Sequence, residues 1–368
     1  MILNPVVQMK KTTAKPRKQV NFIDYDGTVL HAYTVAEVQT LTALPELPTH
    51  NGLICQGWNW TLEEIKALNR AVDVGALYIT DDGKTRLYIT IAAPGRMDVP
   101  LYLNQNAADS VTINWGDGSE TETVHATGYV NTEHAYASVG DYVITLEPME
   151  GCTFELGQGV IGATGNNGLV YRNMLRKVEL GAGITQVGGS TFSDCHSLRS
   201  ITMPNQITSI GTSPFANCYS LLSVTIPPGE VWLTTLVTKC TSLSSVSIPN
   251  GVSVINGQAF YGCSALSSIT IPDGVVTLAS GSISDCCSLS SITVPSSVTT
   301  VASQAFYNCY GMAEYHFRAQ SPPTLETTSS LWGIPADCII YVPQGSLSAY
   351  QTANNWSTYA NKMQEEPV

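Results

Sequence analysis

Between Leu175 and Gly311 the apolar positions follow a cycle that restarts about every 23 residues. The rung that begins at Leu243 shows it: Leu243, Val246 and Ile248 fall on one side of an extended segment, while Ser245 and Ser247 point away. Pro249-Asn250-Gly251 turns the chain, Val252 and Ile255 return to the interior, Ala259-Phe260 packs the opposite wall and Cys263 closes the rung. Other rungs keep the pattern. Ile201, Val224, Ile269 and Ile292 stand where Val246 does, and Phe192, Phe215 and Phe306 stand where Phe260 does, with Val237 and Ile283 departing from the aromatic slot. The closing cysteines, Cys195, Cys218, Cys240, Cys263, Cys286 and Cys309, are separated by 23, 22, 23, 23 and 23 residues. A fixed period in the twenties predicts a solenoid, because a single rung cannot bury its apolar face alone. The short rung, LLSVTIPPGEVWLTTLVTKCTS, carries Trp232 and predicts an irregular convex side there.

Upstream the rhythm differs. VNFIDYDGTVLHAYT, from Val20, alternates like two short strands around an Asp26-Gly27 turn, and TLEEIKALNRAV opens with Thr61 and Glu64 in capping-box spacing, predicting a short helix. From Gly75 to Gly151 a period of two recurs in RLYITIA, VPLYL, SVTINW and DYVITLEP, which predicts a β-sandwich. ELGQGVIGATGNNGLV reads as a Gly-rich linker that becomes the first cap; it lacks the strand-loop-helix context and the following Lys of a phosphate loop. Beyond Met312 the pattern decays into a last strand, CIIYVP, and an amphipathic helix capped by Ser346 with Leu347, Tyr350, Trp356 and Tyr359 as contacts. The expected organisation is mainly β and multi-domain. A basic tail or attachment arm spans 1–18, a small module 19–74, a β-sandwich 75–151, a linker and cap 152–174, the solenoid 175–318 and a C-terminal cap with a helix 319–368.

Composition narrows the function. The 368 residues carry a net charge of -12 with only 12% charged side chains, which argues against nucleic acid as a partner. The one basic cluster, Lys10, Lys11, Lys15, Arg17 and Lys18, lies in the N-terminal arm and reads as a solvated leader or an attachment segment. No run of eighteen apolar residues exists, so no membrane insertion is expected, and the first residues do not read as a secretory signal. Ten cysteines therefore imply no disulfide framework; Cys55, Cys152, Cys287 and Cys338 lie outside the ladder. Stacked rungs place equivalent residues about 4.8 Å apart with parallel Cβ vectors, which suits neither a disulfide nor a tetrahedral zinc site. The ladder is expected to be buried thiols acting as small hydrophobes.

Two groups of residues invite a chemical reading. Ser200, Thr202, Ser223, Thr225, Ser245, Ser247, Ser268, Thr270, Ser291 and Thr293 fall on the outward strand positions and would form a nearly uncharged hydroxyl row on a concave face. Such residues tolerate a solvated strand, and they equally offer donors and acceptors to a docked glycan or protein. FIDYDGTVL resembles the first motif of haloacid dehalogenase phosphatases, in which Asp24 would be the nucleophile and Asp26 the general acid beside Mg²⁺. That chemistry needs a parallel α/β domain carrying later motifs, and the β-rich sequence that follows leaves no room for one.

Three further resemblances are more specific. Val20 to Phe22, Gly27, Leu44 to Pro48 with Thr49, Gly52 and Gly57-Trp58 resemble the Listeria-Bacteroides repeat, which implies a β-grasp-like module; the VAEVQTLTAL insert departs from it. Trp115, Gly116, Asp117, Gly118, His134, Tyr136, Gly140, Tyr142, Ile144 and Leu146 resemble the polycystic-kidney-disease (PKD) domain signature, although Trp115 directly precedes Gly116. That resemblance implies a β-sandwich in which Asp117 holds a turn and the His134 imidazole is satisfied by backbone. The six cysteine-marked rungs, over roughly 165 to 320, resemble the BspA-type leucine-rich repeat. Together these imply a non-enzymatic adhesion or recognition protein outside the cytoplasm, without a cofactor or a metal. Its partner would be a host cell-surface protein or glycan. The setting is either a bacterial cell surface or a phage or prophage tail, with the N-terminal arm contacting other virion proteins.

Overall fold

A computed structural model describes residues 17–68, 70–95, 97–162, 168–228 and 234–367. The first module is a mixed four-stranded sheet of β1 (Val20–Ile23), β2 (Val29–Tyr33), β3 (Leu53–Trp58) and β4 (Val72–Thr80), with the short helices α1 (Val35–Gln39) and α2 (Leu62–Leu68). Its order is β2-β1-β4-β3, with β1 parallel to β4 and the two outer pairs antiparallel. Thr34 and Glu37 close a capping box on α1, satisfying two of its free N–H groups. Alternation divides the sheet between two environments. Phe22, Val72, Val74 and Tyr78 join Trp58, Ile65 and Leu68 in the module's own core, whereas Asn21, Asp73 and Gly75 point to the other side. β4 carries this sheet past the boundary expected at residue 74. Arg17 and Lys18, expected in the arm, pair with Asp73 at 2.6 Å and Glu37 at 2.9 Å and belong to the module. The remainder of the arm, residues 1–16, lies outside the described residues.

Two further sheets follow. β5 (Thr85–Ile91), β6 (Asp98–Gln105), β7 (Val111–Asn114), β8 (Glu122–Thr123), β9 (Gly128–Ala135), β10 (Gly140–Pro148) and β11 (Phe154–Ile161) divide into the runs β5-β10-β7-β8 and β11-β6-β9. Their alternate residues, among them Leu87, Ile89, Leu101, Leu103, Ile113 and Ile144, are buried in one apolar cluster, as period-two strands with one solvated face require. β11 corrects the expected linker: 154–161 is a strand paired antiparallel with β6, because Phe154, Leu156, Val160 and Ile161 supply apolar area to that cluster.

Beyond α3 (Gly168–Arg172), the strand β12 (Leu175–Glu179) joins the halves of the chain. It pairs antiparallel with β5 and parallel with Ser200–Thr202, so the solenoid's first strand lies in the same sheet as β5. The apolar cluster accordingly runs from Leu87 to Met363 without interruption. A solenoid needs a cap at each end to cover its last exposed rung, and the β5–β11 region covers the first.

The rungs stack as expected at most positions. Ser223–Thr225 pairs in parallel with Ser245–Ser247, and Ser291–Val294 with Glu314–Phe317. One strand per repeat fails at 268–270, where no strand forms; there Arg70 of the module donates to the Ile271 carbonyl and the Thr270 hydroxyl donates to the Ala71 carbonyl at 3.1 Å. Val237 and Ile283 fill the aromatic slot and are fully buried beside Phe192, Phe215, Phe260 and Phe306. The irregular convex side expected at Trp232 lies outside the described residues. On the convex side the residue before each cysteine is left-handed: Asp194, Asn217, Lys239, Gly262, Asp285 and Asn308. Asp, Asn and Gly tolerate that conformation, and five of the six belong to these types.

The C-terminal helix is broken into two. Leu347–Thr352 is α-helical, Asn355 turns at φ 63°, and Trp356–Lys362 is a 3₁₀ helix that leads into a strand, Met363–Glu365. Ser346 occupies the cap position without a capping bond, its hydroxyl donating to the Pro343 carbonyl at 2.6 Å. Tyr350 and Trp356 are buried against Phe317, so the segment still closes the last rung.

All six ladder cysteines are free and 0% exposed. They also do more than fill space. The thiols of Cys218, Cys240, Cys263, Cys286 and Cys309 donate to the carbonyls of Phe192, Phe215, Val237, Phe260 and Ile283 at 3.1–3.2 Å, each in the preceding rung. Burial raises the thiol pKa of Cys195, Cys218, Cys263, Cys286 and Cys309, pushing Cys195 and Cys309 up to about 12. A pulse of iodoacetamide on native protein should modify exposed Cys287 first and spare the ladder, while all ten cysteines react in concentrated guanidinium. Ladder thiols labelled as fast as Cys287, or recovered as disulfides, would contradict this arrangement.

Candidate functional site

The outward hydroxyls lie in register on the concave strands, but the first half of the row is covered. Ser200, Thr202, Ser223, Thr225, Ser245 and Ser247 are all buried. The cover is the module's second sheet face. Ser223 donates to the Tyr25 carbonyl at 2.6 Å, Ser247 donates to the Asp73 carbonyl at 2.6 Å and the Gly75 N–H donates to the Ser247 hydroxyl at 3.1 Å. The Asn59 amide donates to the carbonyls of Ile226 and Ser247 at 3.2 and 3.4 Å, and the Trp60 indole donates to the Ile248 carbonyl at 3.0 Å. Close approach requires a glycine at 75, since a Cβ there would lie 2.3 Å from the Thr225 hydroxyl oxygen. The expectation of a free hydroxyl face is therefore corrected for these six residues: a strand face of small hydroxyls seats β4, the turn after β1 and the segment after β3.

Beyond Thr270, whose hydroxyl donates to the module's Ala71 carbonyl, the row is open. Ser268, Thr270 and Thr293 are half-buried and Ser291 is exposed. The parallel register carries the row further than serine and threonine suggested: Ser291 stands beside Glu314 and Thr293 beside His316, which in turn stands beside Tyr341. His316 stacks on Tyr341 with ring centroids 4.9 Å apart, and its Nδ1 lies 2.8 Å from Glu366 Oε1 and its Nε2 3.3 Å from Glu314 Oε2. Arg318 pairs with Glu366 at 3.0 Å. A polar, charged and aromatic patch thus occupies the uncovered end of the concave sheet. Continuing the 23-residue step from Ser291 and Thr293 lands on Glu314 and His316, which is the sequence signal for them.

Residues 164–238 and 235–329 match the BspA type leucine rich repeat region, in six copies. This part of the chain is a BspA-type leucine-rich repeat region. Solved structures with similar stretches include a T. pallidum leucine-rich repeat protein (19% identity, 50% of this chain and 79% of that one, TM-score 0.29). A Bacteroides ovatus leucine-rich repeat protein is 20% identical over 46% of this chain and 57% of that one, TM-score 0.29. A leucine-rich cell surface protein from Faecalibacterium prausnitzii is 18% identical over 61% of this chain and 84% of that one, TM-score 0.26. At such scores the superpositions carry no weight, and the assignment rests on the repeat match and the stacked rungs. No curated protein matches the chain.

Outside the BspA-type region, the paired carboxylates have structural partners. Asp24 is buried at the end of β1, where its Oδ1 accepts from the Tyr78 hydroxyl at 2.5 Å and the Tyr25 N–H at 2.9 Å, and its Oδ2 lies 2.8 Å from His50 Nε2. Asp26 accepts from the Thr28 N–H at 2.9 Å within the turn. The mixed sheet around Asp24 is not the parallel α/β scaffold that the phosphatase chemistry needs, and no cluster of three metal-binding side chains occurs among the described residues. His134 also differs from expectation: its Nε2 lies 2.7 Å from Asp117 Oδ2, and its ring stacks on Trp115 at 5.0 Å, so a carboxylate and not the backbone satisfies it. That hydrogen bond holds the Asp117 carboxyl well below the usual range.

The bond to Asp24 raises the pKa of His50 against the opposing effect of burial. A raised folded value gives stability that is complete below the unfolded pKa of about 6.5 and is lost as pH climbs through the folded value. Hydrogen exchange in peptides covering 20–33 and 72–80 should therefore be slower, after correction for intrinsic rates, at about pH 6 than at about pH 8. His50→Gln should flatten that difference, and an unchanged pH dependence in the variant would remove His50 as its source.

Proposed function

We propose that this chain is a non-enzymatic recognition protein of adhesin type that works outside the cytoplasm and grips a protein on a cell surface. The observation that carries this reading is the open C-terminal end of the BspA-type concave sheet, where Ser291, Thr293, Glu314, His316 and Tyr341 stand in register on parallel strands with Arg318 just beyond. Solenoids use such extended concave surfaces for binding. Stacked aromatic and charge-paired groups suit a protein epitope, since arginine and tyrosine are enriched where proteins meet. No helix among the described residues is long and apolar enough to cross a membrane. The narrower assignment to a phage or prophage virion depends on the N-terminal arm, nearly all of which lies outside the described residues.

Fluorescently labelled protein should bind a subset of epithelial and bacterial cells in flow cytometry. The Glu314→Lys/His316→Ala double variant should weaken that binding about tenfold or more, and Tyr310→Ala on the convex side should leave it unchanged. Equal binding by the double variant would remove the concave surface from consideration.

A further inference from the structure

We propose that the outer face of the β11-β6-β9 sheet is a binding site for an uncharged oligosaccharide. This goes beyond the concave-face reading, using a different surface and different residues. A groove of about 460 Å³ lies there, lined by Tyr102, Tyr129, Asn131, Glu155, Gln158 and Gly188 among others, within the roughly 300–1,000 Å³ of small-molecule sites.

The strand register assembles it. Tyr102 on β6 stands beside Asn131 on β9, and Asn104 stands between Tyr129 on one side and Glu155 on the other. The Asn104 amide donates to Glu155 Oε2 at 3.0 Å and fixes that carboxylate at the rim. Tyr129 is 82% exposed, although it sits within a strand where a large aromatic ring is normally covered. A pyranose ring has an apolar face of C–H bonds, and an aromatic face with its negative quadrupole is the surface that such C–H groups pack on.

β11 is distorted in a way that clears the floor. Its pairing with β6 shifts between Leu156 and Ile161, a bulge that leaves Gly157 over Tyr102 and turns Gln158 out to solvent. A Cβ at Gly157 would lie only 3.0 Å from the Tyr102 Cβ, so no side chain stands over the Tyr102 ring from that strand. Gly188 and Gly189, from the first convex turn of the solenoid, form an end wall without side chains. Sugar hydroxyls need partners that both donate and accept, which the carboxamides of Asn131 and Gln158 supply at the two sides of the tyrosine pair.

Charge excludes the alternatives. The lining has a carboxylate, Glu155, and no Lys or Arg among its described residues, so phosphorylated or sialylated ligands would meet repulsion without compensation. A protein partner would want a contiguous apolar centre, whereas β9 presents Asn131, Glu133 and Ala135 next to its single exposed ring.

The full chain should be applied to an array of neutral, N-acetylated and sialylated glycans, followed by calorimetry with the best neutral hit. Neutral or N-acetylated glycans should be retained in preference to sialylated ones. Tyr129→Ala should weaken binding about tenfold and Gln158→Ala about threefold, with Tyr310→Ala unchanged. Both variants change exposed side chains, so circular dichroism should match the parent. No retained glycan, a preference for sialylated glycans, or parent-like affinity in Tyr129→Ala would overturn the site. Intact cell binding alongside an empty array would overturn this site and leave the concave-face reading standing.

Discussion

The backbone N–H of the left-handed residue before each cysteine is the tie on which the solenoid depends. Asp194 donates to Ala216, Asn217 to Thr238, Gly262 to Ser284, Asp285 to Tyr307 and Asn308 to Trp332, each at 2.8–2.9 Å and each to the next rung. A left-handed residue turns its N–H away from its own rung, so the bond can only be made by a neighbour at the right height. The thiol of the next residue then donates back to the previous rung. Bonds in both directions at one corner tie each rung to its two neighbours, the 22-residue rung closed by Cys240 included. Asn217 and Asn308 add side-chain bonds to Asp194 and Asp285 at 2.7 and 3.0 Å.

A structure built this way has two ends and one long concave face, all of which would otherwise expose unpaired backbone or apolar surface. The first end is closed by continuing the sheet: β12 bonds the first solenoid strand on one edge and β5 on the other. The last end is closed by Trp356, Tyr350 and the strand 363–365. The concave face is closed only in part, by a module whose sheet offers Gly75 and the backbone of Asp73 to the small hydroxyls beneath. Small residues on both sides permit the approach. Toward the C terminus the same row changes to Glu314, His316 and Tyr341, side chains too large for such a seat, and the face is open.

The repeat was legible because a stacked core demands the same residue type at the same height. The Phe slot, the cysteine and the Asp, Asn or Gly before it all show in the sequence, and the structure adds the reason for the last of these. The strands of 75–151 were legible by alternation. The seating of the module was not. The sequence of β1 and β4 alternates as a half-solvated strand would, yet nearly every residue is buried, and a hydrophobic pattern alone does not say what covers the second face. The role of the serines was ambiguous for the same reason: a hydroxyl serves equally well against solvent, a ligand or a neighbouring backbone. β11 was misread as a linker because the glycines that shape its bulge resemble those of a loop.

The central claim is that the N-terminal module occupies the concave face as far as Thr270 and leaves the C-terminal end free. A Cβ placed at Gly27 would lie 3.4 Å from the Ser223 Cβ, close to the roughly 3.5–4.5 Å separation of a disulfide. Peptide mapping of the Gly27→Cys/Ser223→Cys variant after mild oxidation is the most direct test. The account predicts a dominant 27–223 cross-link with the ladder thiols still reduced. Recovery of both introduced cysteines as free, alkylated thiols would show that the module does not sit there.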